Sequence, residues 1–105
     1  MRLTSQQIKH FIQVIDKICP QIQYSLYLYG SRLHDELKGG DIDLAIQVDA
    51  GDKVKLEEKI LDLLVNFKKN PLVGDRKIDL KIFNESDLAQ DVFLQKISLE
   101  WIKLN

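Results

Sequence analysis

Two neighbouring segments decide how this chain folds: Tyr29-Gly30-Ser31-Arg32 and, after a short insert, Gly39-Gly40-Asp41-Ile42-Asp43-Leu44. The first ends an apolar stretch at a Gly-Ser turn, and the second opens another apolar stretch with two aspartates. Successive side chains of a strand point to opposite faces of the sheet, so the two aspartates are predicted to share one face. The intervening apolar residues then enter the core. The pattern predicts two strands joined by a turn, with a carboxylate pair opening the second.

The carboxylates of Asp41 and Asp43 suit a hard cation. Their Cα atoms are expected about 6.5–7 Å apart, a span that both side chains can close onto shared ions. Mg²⁺ prefers oxygen ligands and is commonly held by one or two carboxylates, with substrate phosphates completing the shell. The turn at Gly30 and Ser31 offers the other half of such a site. Glycine lets the backbone approach a phosphate closely, and N–H groups opening a helical turn favour an anion.

Length and composition indicate one globular domain. The chain has 105 residues, 45% hydrophobic and 30% charged, enough for one core and typical of a folded protein. A net charge of −1 gives no general positive field, so we expect no direct nucleic-acid binding. No apolar run approaches membrane-spanning length, and the N-terminus lacks a signal-peptide layout, so we expect no membrane contact. The lone cysteine, Cys19, fits a reducing compartment, which favours the cytoplasm.

A helix is predicted at the start of the chain. Thr4 and Gln7 have the spacing of a capping box, and Pro20 ends the helix. Between them one apolar face repeats at helical spacing, formed by Ile8, Phe11, Ile12, Ile15, Ile18 and Cys19. Cys19 is therefore predicted to be a small buried hydrophobe rather than a catalytic thiol. His10 falls on the polar side and is predicted to be exposed.

Three strands follow from their aromatic and aliphatic content: Tyr24–Tyr29, Asp41–Val48 and about Lys77–Phe83. The tyrosines of the first strand are predicted to pack rather than to stack on a base. The segment from Ser31 to about Lys38 is predicted to be a short helix or turn. One long helix, capped by Asp52 and closed at Asn70-Pro71, is predicted between the last two strands.

A final helix is predicted near Asp87, with Asn84 or Ser86 as its cap. The sequence leaves the end of this helix open. Residues Leu99 to Leu104 can either continue it or form a short edge strand.

A third aspartate strengthens the prediction of a metal site. Asp79 lies on the polar face of the third predicted strand, whose alternate residues are apolar. A strand–helix–strand unit favours neighbouring strands, which would bring Asp79 to Asp41 and Asp43. Such like charges each raise the pKa of their neighbours, and two divalent ions would remove that cost. The alternative is that one aspartate caps a turn and two are exposed strand residues, although aspartate is disfavoured in strands.

These residues together resemble a known enzyme family. Gly30-Ser31, nine intervening residues, Asp41-Ile42-Asp43 and a later Asp79 are similar to the signature of the nucleotidyltransferases of the DNA polymerase β superfamily. The small size and a single domain spanning residues 1–105 most resemble the minimal nucleotidyltransferase (MNT) group. The resemblance covers nearly the whole chain, from the first helix to Phe83 and beyond.

The resemblance implies an α+β fold, in which a small mixed β-sheet packs against helices. It also implies transfer of a nucleoside monophosphate from ATP or another nucleoside triphosphate to a hydroxyl, with release of pyrophosphate. Two Mg²⁺ ions, or Mn²⁺, would be held by the catalytic residues Asp41, Asp43 and Asp79. Asp79 would also help to deprotonate the acceptor. The nucleotide would be bound by Gly30, Ser31, Arg32 and Lys38.

One departure from the family pattern follows the Gly-Ser-Arg turn. Relatives commonly carry small and basic residues there, whereas this chain has Leu33-His34-Asp35-Glu36. Two acids oppose the binding of a triphosphate, so a nearby cation must compensate. Lys38 is the first candidate, followed by Arg76, Lys77 and Lys81. His34 is predicted to be a surface residue rather than a base.

The partner is also implied by the resemblance. No segment is long enough for a second domain that grips the acceptor, so a partner protein or an interface in a homo- or hetero-oligomer must supply it. MNT proteins are typically encoded beside a helical HEPN ribonuclease toxin, and this chain would be the antitoxin that adenylylates a tyrosine of that toxin. Two alternatives remain open. One is an antitoxin that masks the toxin by binding alone, and the other is a stand-alone enzyme acting on a small hydroxylated molecule.

Overall fold

A four-stranded mixed sheet lies at the centre of the protein. The computed structural model describes residues 3–30, 42–71, 73–74 and 76–105. The elements in these ranges are α1 (Ser5–Ile18), β1 (Tyr24–Tyr29), β2 (Ile42–Val48), α2 (Ala50–Glu58), α3 (Ile60–Lys68), β3 (Ile78–Phe83), α4 (Glu85–Gln90), α5 (Val92–Ser98) and β4 (Ile102–Lys103). The predicted α+β fold, with a small mixed sheet packed against helices, is confirmed.

The strand order of the sheet is β3-β2-β1-β4. β1 pairs antiparallel with β2 and β4, whereas β2 pairs parallel with β3. A parallel pair needs a crossover connection, and α2 and α3 provide it. The prediction that the second and third strands are neighbours in the sheet is therefore confirmed. β3 and the two-residue β4 form the two edges of this sheet.

The main core lies between α1, α3 and one face of the sheet. Alternate residues of β2 are buried as predicted, namely Ile42, Leu44, Ile46 and Val48. Phe11 of α1 meets Phe67 of α3 edge to face, with ring centroids 5.0 Å apart. The capping box of Thr4 and Gln7 opens α1, and Cys19 is buried at its end, both as predicted. Burial also raises the pKa of the Cys19 thiol, which disfavours the reactive thiolate.

The opposite face of the sheet carries a second, smaller cluster that the sequence did not predict. Its buried members are Tyr29, Ala45, Phe83 and Leu94. Trp101 stacks on Tyr27 with ring centroids 3.9 Å apart and also lies against Phe83. Helix α5 and the residues that follow it therefore cover part of the sheet face that points away from the main core.

Two predicted helices are each divided in the structure. The helix expected from Asp52 begins at Ala50 with Asp49 at its N-cap, and Lys59 divides it into α2 and α3. The final helix begins at Glu85, because Asn84 rather than Ser86 forms a capping box with Asp87. It is divided at Asp91, whose side chain accepts the N–H groups of Phe93 and Leu94 and so starts α5. The capping side chains of Asn84 and Asp91 thus decide where α4 and α5 begin.

The prediction that His10 is exposed is wrong. His10 is half-buried, and its Nε2 lies 2.9 Å from the carbonyl oxygen of Phe67 and 3.1 Å from that of Asn66. Carbonyl groups at the end of a helix have no partner within it. The imidazole N–H donates to this end of α3 and so fixes α1 against it.

The segment left open in the sequence forms an edge strand, and Asn105 extends its pairing with β1. The Asn105 Oδ1 accepts the N–H of Leu26 at 2.8 Å, and its Nδ2 donates to the carbonyl oxygen of Tyr24 at 3.0 Å. The N–H of Leu104 donates to the carbonyl oxygen of Leu26 at 2.7 Å. The side-chain amide of Asn105 thus makes the two hydrogen bonds to β1 that the backbone of one more paired residue would make.

We predict that Asn105→Ala lowers the free energy of unfolding by about 1–2 kcal/mol, since two hydrogen bonds to β1 are lost. Urea denaturation followed by circular dichroism measures this change. Lys103→Ala is the matched control, because Lys103 is exposed on the same short strand and should change stability by less than about 0.5 kcal/mol. Equal effects of the two substitutions would contradict the pairing role of Asn105.

Candidate functional site

Three chemistry-bearing side chains occupy one row across the sheet. Tyr29 is the register partner of Asp43 in the β1–β2 pair, and Asp43 is the register partner of Asp79 in the β2–β3 pair. Neighbouring strands lie about 4.8 Å apart, so the two aspartates stand side by side. Asp43 is half-buried and Asp79 is exposed. The row therefore runs from a buried aromatic residue to a solvent-accessible carboxylate.

The other predicted site residues lie outside the described residues, with one exception. Asp41, Ser31, Arg32 and Lys38 fall in the undescribed range 31–41, together with the acidic pair Asp35-Glu36. Their predicted roles stay predictions. Gly30 is described, as the last residue before this range. In the described part of the chain, no group of three or more His, Cys, Asp or Glu could hold a metal ion.

Gly30 and Asp43 are in steric contact. Gly30 has a φ of +77°, a conformation that L side chains rarely adopt. A Cβ placed on it would collide with Oδ2 of Asp43 and would lie 3.1 Å from its Cγ. The glycine of the Gly-Ser turn thus leaves room for the carboxylate of the following strand. This is a second reason for glycine, besides the close approach of a phosphate that the sequence suggested.

Tyr29 is a site residue that sequence reasoning missed. The residue is only 4% exposed, and its hydroxyl has no hydrogen-bond partner in the described part of the chain. Burial raises the pKa of this hydroxyl, and the negative charges of Asp79 and Asp43 raise it further. The hydroxyl is therefore less acidic than that of an exposed tyrosine. The signal in the sequence was the position of Tyr29 at the end of β1, directly before the turn that leads to the aspartates.

Phe93 and Lys81 lie beside this row. The Phe93 ring meets Tyr29 edge to face, with centroids 6.1 Å apart. Lys81 follows Asp79 on the same face of β3, and its Nζ lies 4.8 Å from the centroid of the Phe93 ring. The cation of Lys81 thus lies over an aromatic face. Arg76 and Lys77, the other proposed cations, are exposed just before β3.

The donor set of the row fits a hard divalent cation. Asp43 and Asp79 offer carboxylate oxygens from adjacent positions, and oxygen ligands suit Mg²⁺ or Mn²⁺. Two carboxylates leave coordination positions for water and substrate phosphate. The described residues thus supply two of the three acids that the motif predicts.

Two grooves lie elsewhere on the described surface. One, of about 510 Å³, lies around Tyr24, Gln47 and Asn84, and the other, of about 710 Å³, runs beside β3 from Leu80 to Phe83. The second includes an ion pair between Lys53 and Asp87, with Nζ and Oδ2 2.7 Å apart. Neither groove is lined by the aspartates of the row, so we assign the candidate chemistry to the row and not to these cavities.

Comparison with models of known protein families finds no match to this chain, and a search of the curated proteins finds no significantly similar sequence. The family resemblance therefore rests on the motif residues alone. Within the described ranges, no helix is both long enough and apolar enough to cross a membrane.

We predict that Gly30→Ala lowers the free energy of unfolding by about 1–3 kcal/mol, because alanine is strained at a positive φ and its Cβ meets the Asp43 carboxylate. Gly51→Ala is the matched control. An added Cβ at Gly51 meets no atom within 4 Å, and alanine in α2 should stabilise by up to about 1 kcal/mol. Thermal and urea unfolding measure both changes.

The steric part of the Gly30→Ala effect can be isolated with Asp43→Ala. Removing the carboxylate removes the collision but not the φ strain. The double variant should therefore recover part of the stability lost in Gly30→Ala, as a double-mutant cycle measures. Purely additive effects would contradict the contact.

Proposed function

We propose that this chain is a Mg²⁺-dependent nucleotidyltransferase that transfers a nucleoside monophosphate, AMP from ATP, to a hydroxyl. The observation that carries the proposal is the register of Asp43 opposite Asp79, next to a glycine turn that packs against Asp43. Adjacent carboxylates on a rigid parallel strand pair suit the binding of divalent cations by one or two acids and substrate phosphates. The motif Gly-Ser with Asp-x-Asp and a later Asp adds the resemblance to the MNT group.

In the proposed site Asp41, Asp43 and Asp79 would hold the metal ions. Such ions, Mg²⁺ or Mn²⁺, would supply neutralisation of the negative charge that develops during an in-line displacement. Asp79 takes the proton from the acceptor hydroxyl, whose oxygen then forms a bond to the α-phosphorus. The bond from that phosphorus to the oxygen bridging the β-phosphate breaks, and pyrophosphate leaves. The exposure of Asp79 suits this contact with the acceptor.

The triphosphate is proposed to bind at the Gly-Ser turn. Backbone N–H groups near Gly30 and the Ser31 hydroxyl would donate to its β- and γ-phosphates. Arg32 and Lys38 would contribute positive charge, which the acidic Asp35-Glu36 pair opposes. The strength of nucleotide binding therefore depends on how these opposed charges balance.

The proposed acceptor is a tyrosine of a helical HEPN-type toxin in the cytoplasm, which this chain would inactivate as its antitoxin. A protein partner is supported by large apolar side chains exposed on α2 and α3, namely Val54 (61% exposed), Leu61 (74%) and Val65 (58%). Exposed apolar side chains that lie together often mark a contact with another chain, and Leu61 and Val65 are one helical turn apart on α3. The same surface supports a second candidate, an antitoxin that masks the toxin without chemistry.

We predict that Mg²⁺ or Mn²⁺ binds tightly only when a nucleoside triphosphate is present, because phosphate oxygens must complete its shell. Titration calorimetry with a non-hydrolysable ATP analogue measures this dependence. Asp43→Asn should abolish the binding. Asp62→Asn, which removes one negative charge from the distant helix α3, should not alter it. Equal cation binding with and without the nucleotide would count against the assignment.

We predict that Asp43→Asn also distinguishes an antitoxin that acts by monophosphate transfer from one that acts by binding alone. The variant should fold and should still bind the partner, while monophosphate transfer falls by orders of magnitude because metal positioning supplies most of the catalysis. Purified pairs with labelled ATP measure transfer, and growth on co-expression measures neutralisation. Glu85→Gln, which removes one negative charge from the exposed first turn of α4, should transfer and rescue like the unaltered chain. Full rescue by a folded Asp43→Asn protein would overturn the enzyme-antitoxin proposal and favour masking.

A further inference from the structure

The hydroxyl of Tyr29 is buried without a partner in the described part of the chain. Burying a hydroxyl that makes no hydrogen bond is unfavourable, and native proteins rarely retain such a group without a reason. Phenylalanine would fill the same volume beside Phe93 without that cost. The hydroxyl therefore points to a role that packing alone does not explain.

The surroundings of this hydroxyl identify its partner chemistry. Tyr29 shares its row with Asp43 on the adjacent strand and with Asp79 one strand further. Both carboxylates act electrostatically on the hydroxyl, and Asp79 acts more strongly. The register places the Tyr29 side chain on the same face of the sheet as both carboxylates. The ring of Tyr29 also packs edge to face against Phe93.

We propose that Tyr29 is a positioning residue of the nucleotidyltransferase site, whose hydroxyl donates to the Asp79 carboxylate when a divalent cation is bound. The inference rests on the proposed function and deepens it. A tyrosine hydroxyl beside a carboxylate acts as the donor, and such charge-assisted bonds are short and strong. One oxygen of Asp79 is then fixed by Tyr29, and the other is turned toward the cation. Partners that orient metal ligands in this way commonly govern metal affinity.

The test compares Tyr29→Phe with the matched variant Tyr24→Phe. Both remove one hydroxyl from β1, but the Tyr24 hydroxyl lies at the other end of the strand and donates to Asp16 Oδ1 at 2.9 Å. Without cations, Tyr29→Phe should be at least as stable as the unaltered chain, since no hydrogen bond is lost. Tyr24→Phe should be slightly less stable. Thermal unfolding without divalent ions measures both.

Cation binding provides the decisive readout. With Mn²⁺ and a non-hydrolysable ATP analogue, Tyr29→Phe should bind the cation at least about 10-fold more weakly than the unaltered chain, whereas Tyr24→Phe should match it. The transfer rate of Tyr29→Phe should fall at limiting Mg²⁺ and recover at saturating Mg²⁺. A residue that only packs would not change the Mg²⁺ dependence of the rate in this way.

A measurement on the unaltered chain keeps the inference testable if Tyr29→Phe does not fold. Tyrosine labelled with ¹³C at Cζ reports hydrogen bonding of each hydroxyl by NMR. Adding Mg²⁺ with the ATP analogue should move the Tyr29 resonance and leave that of Tyr24 in place. An unmoved Tyr29 resonance at saturating cation would overturn the inference.

The outcomes separate this inference from the proposed function. Nucleotide-dependent cation binding that Asp43→Asn abolishes but Tyr29→Phe leaves unchanged would overturn the role of Tyr29 while the proposed function stands. Absence of such binding in the unaltered chain would overturn both. Weaker cation binding and Mg²⁺-restored activity in Tyr29→Phe alone would establish the positioning role.

Discussion

The parallel pairing of β2 with β3 is the constraint on which the rest of the structure depends. Its register sets Asp43 opposite Asp79 and, at the same time, turns the alternate residues of β2 into the main core. A shift of one residue would exchange the two faces, burying the carboxylates and exposing the core. Burial of the apolar face of β2 therefore fixes the register that places the two aspartates side by side. Any affinity of the row for cations depends on that register.

Most of the fold could be predicted because it follows from periodicity. The alternation of β2, the apolar face of α1 and the capping box at Thr4 each act over a few residues, and all three are found in the structure. What the sequence missed depends on distant contacts. His10 is drawn inward by the end of α3, which lies far away in sequence. The breaks at Lys59 and Asp91 carry neither glycine nor proline to announce them.

The candidate site, like the fold, could be predicted in part: the aspartates follow from the sequence, but Tyr29 does not. Spacing alone could indicate that aspartates from two strands would meet, and the register of Asp43 with Asp79 agrees with it. Tyr29 was assigned to packing because tyrosine is common in strands, and its ring does pack against Phe93. Only the three-dimensional structure shows that Tyr29 shares a row with two aspartates and that its hydroxyl has no hydrogen-bond partner in the described residues. The contact between Gly30 and Asp43 likewise requires coordinates, because it joins the residue after β1 to the adjacent strand β2.

The position of β3 at an edge of the sheet bears on the resistance of the protein to aggregation. An edge strand is a template for another strand, and proteins commonly protect such edges with charged side chains. Along β3 and the residue before it, Lys77, Asp79 and Lys81 alternate with apolar residues. The acid that the chemistry would use thus also serves as a gatekeeper against aggregation. Replacing Asp79 and Lys81 by apolar residues would leave a continuous apolar ribbon at this edge, and its first cost would be solubility.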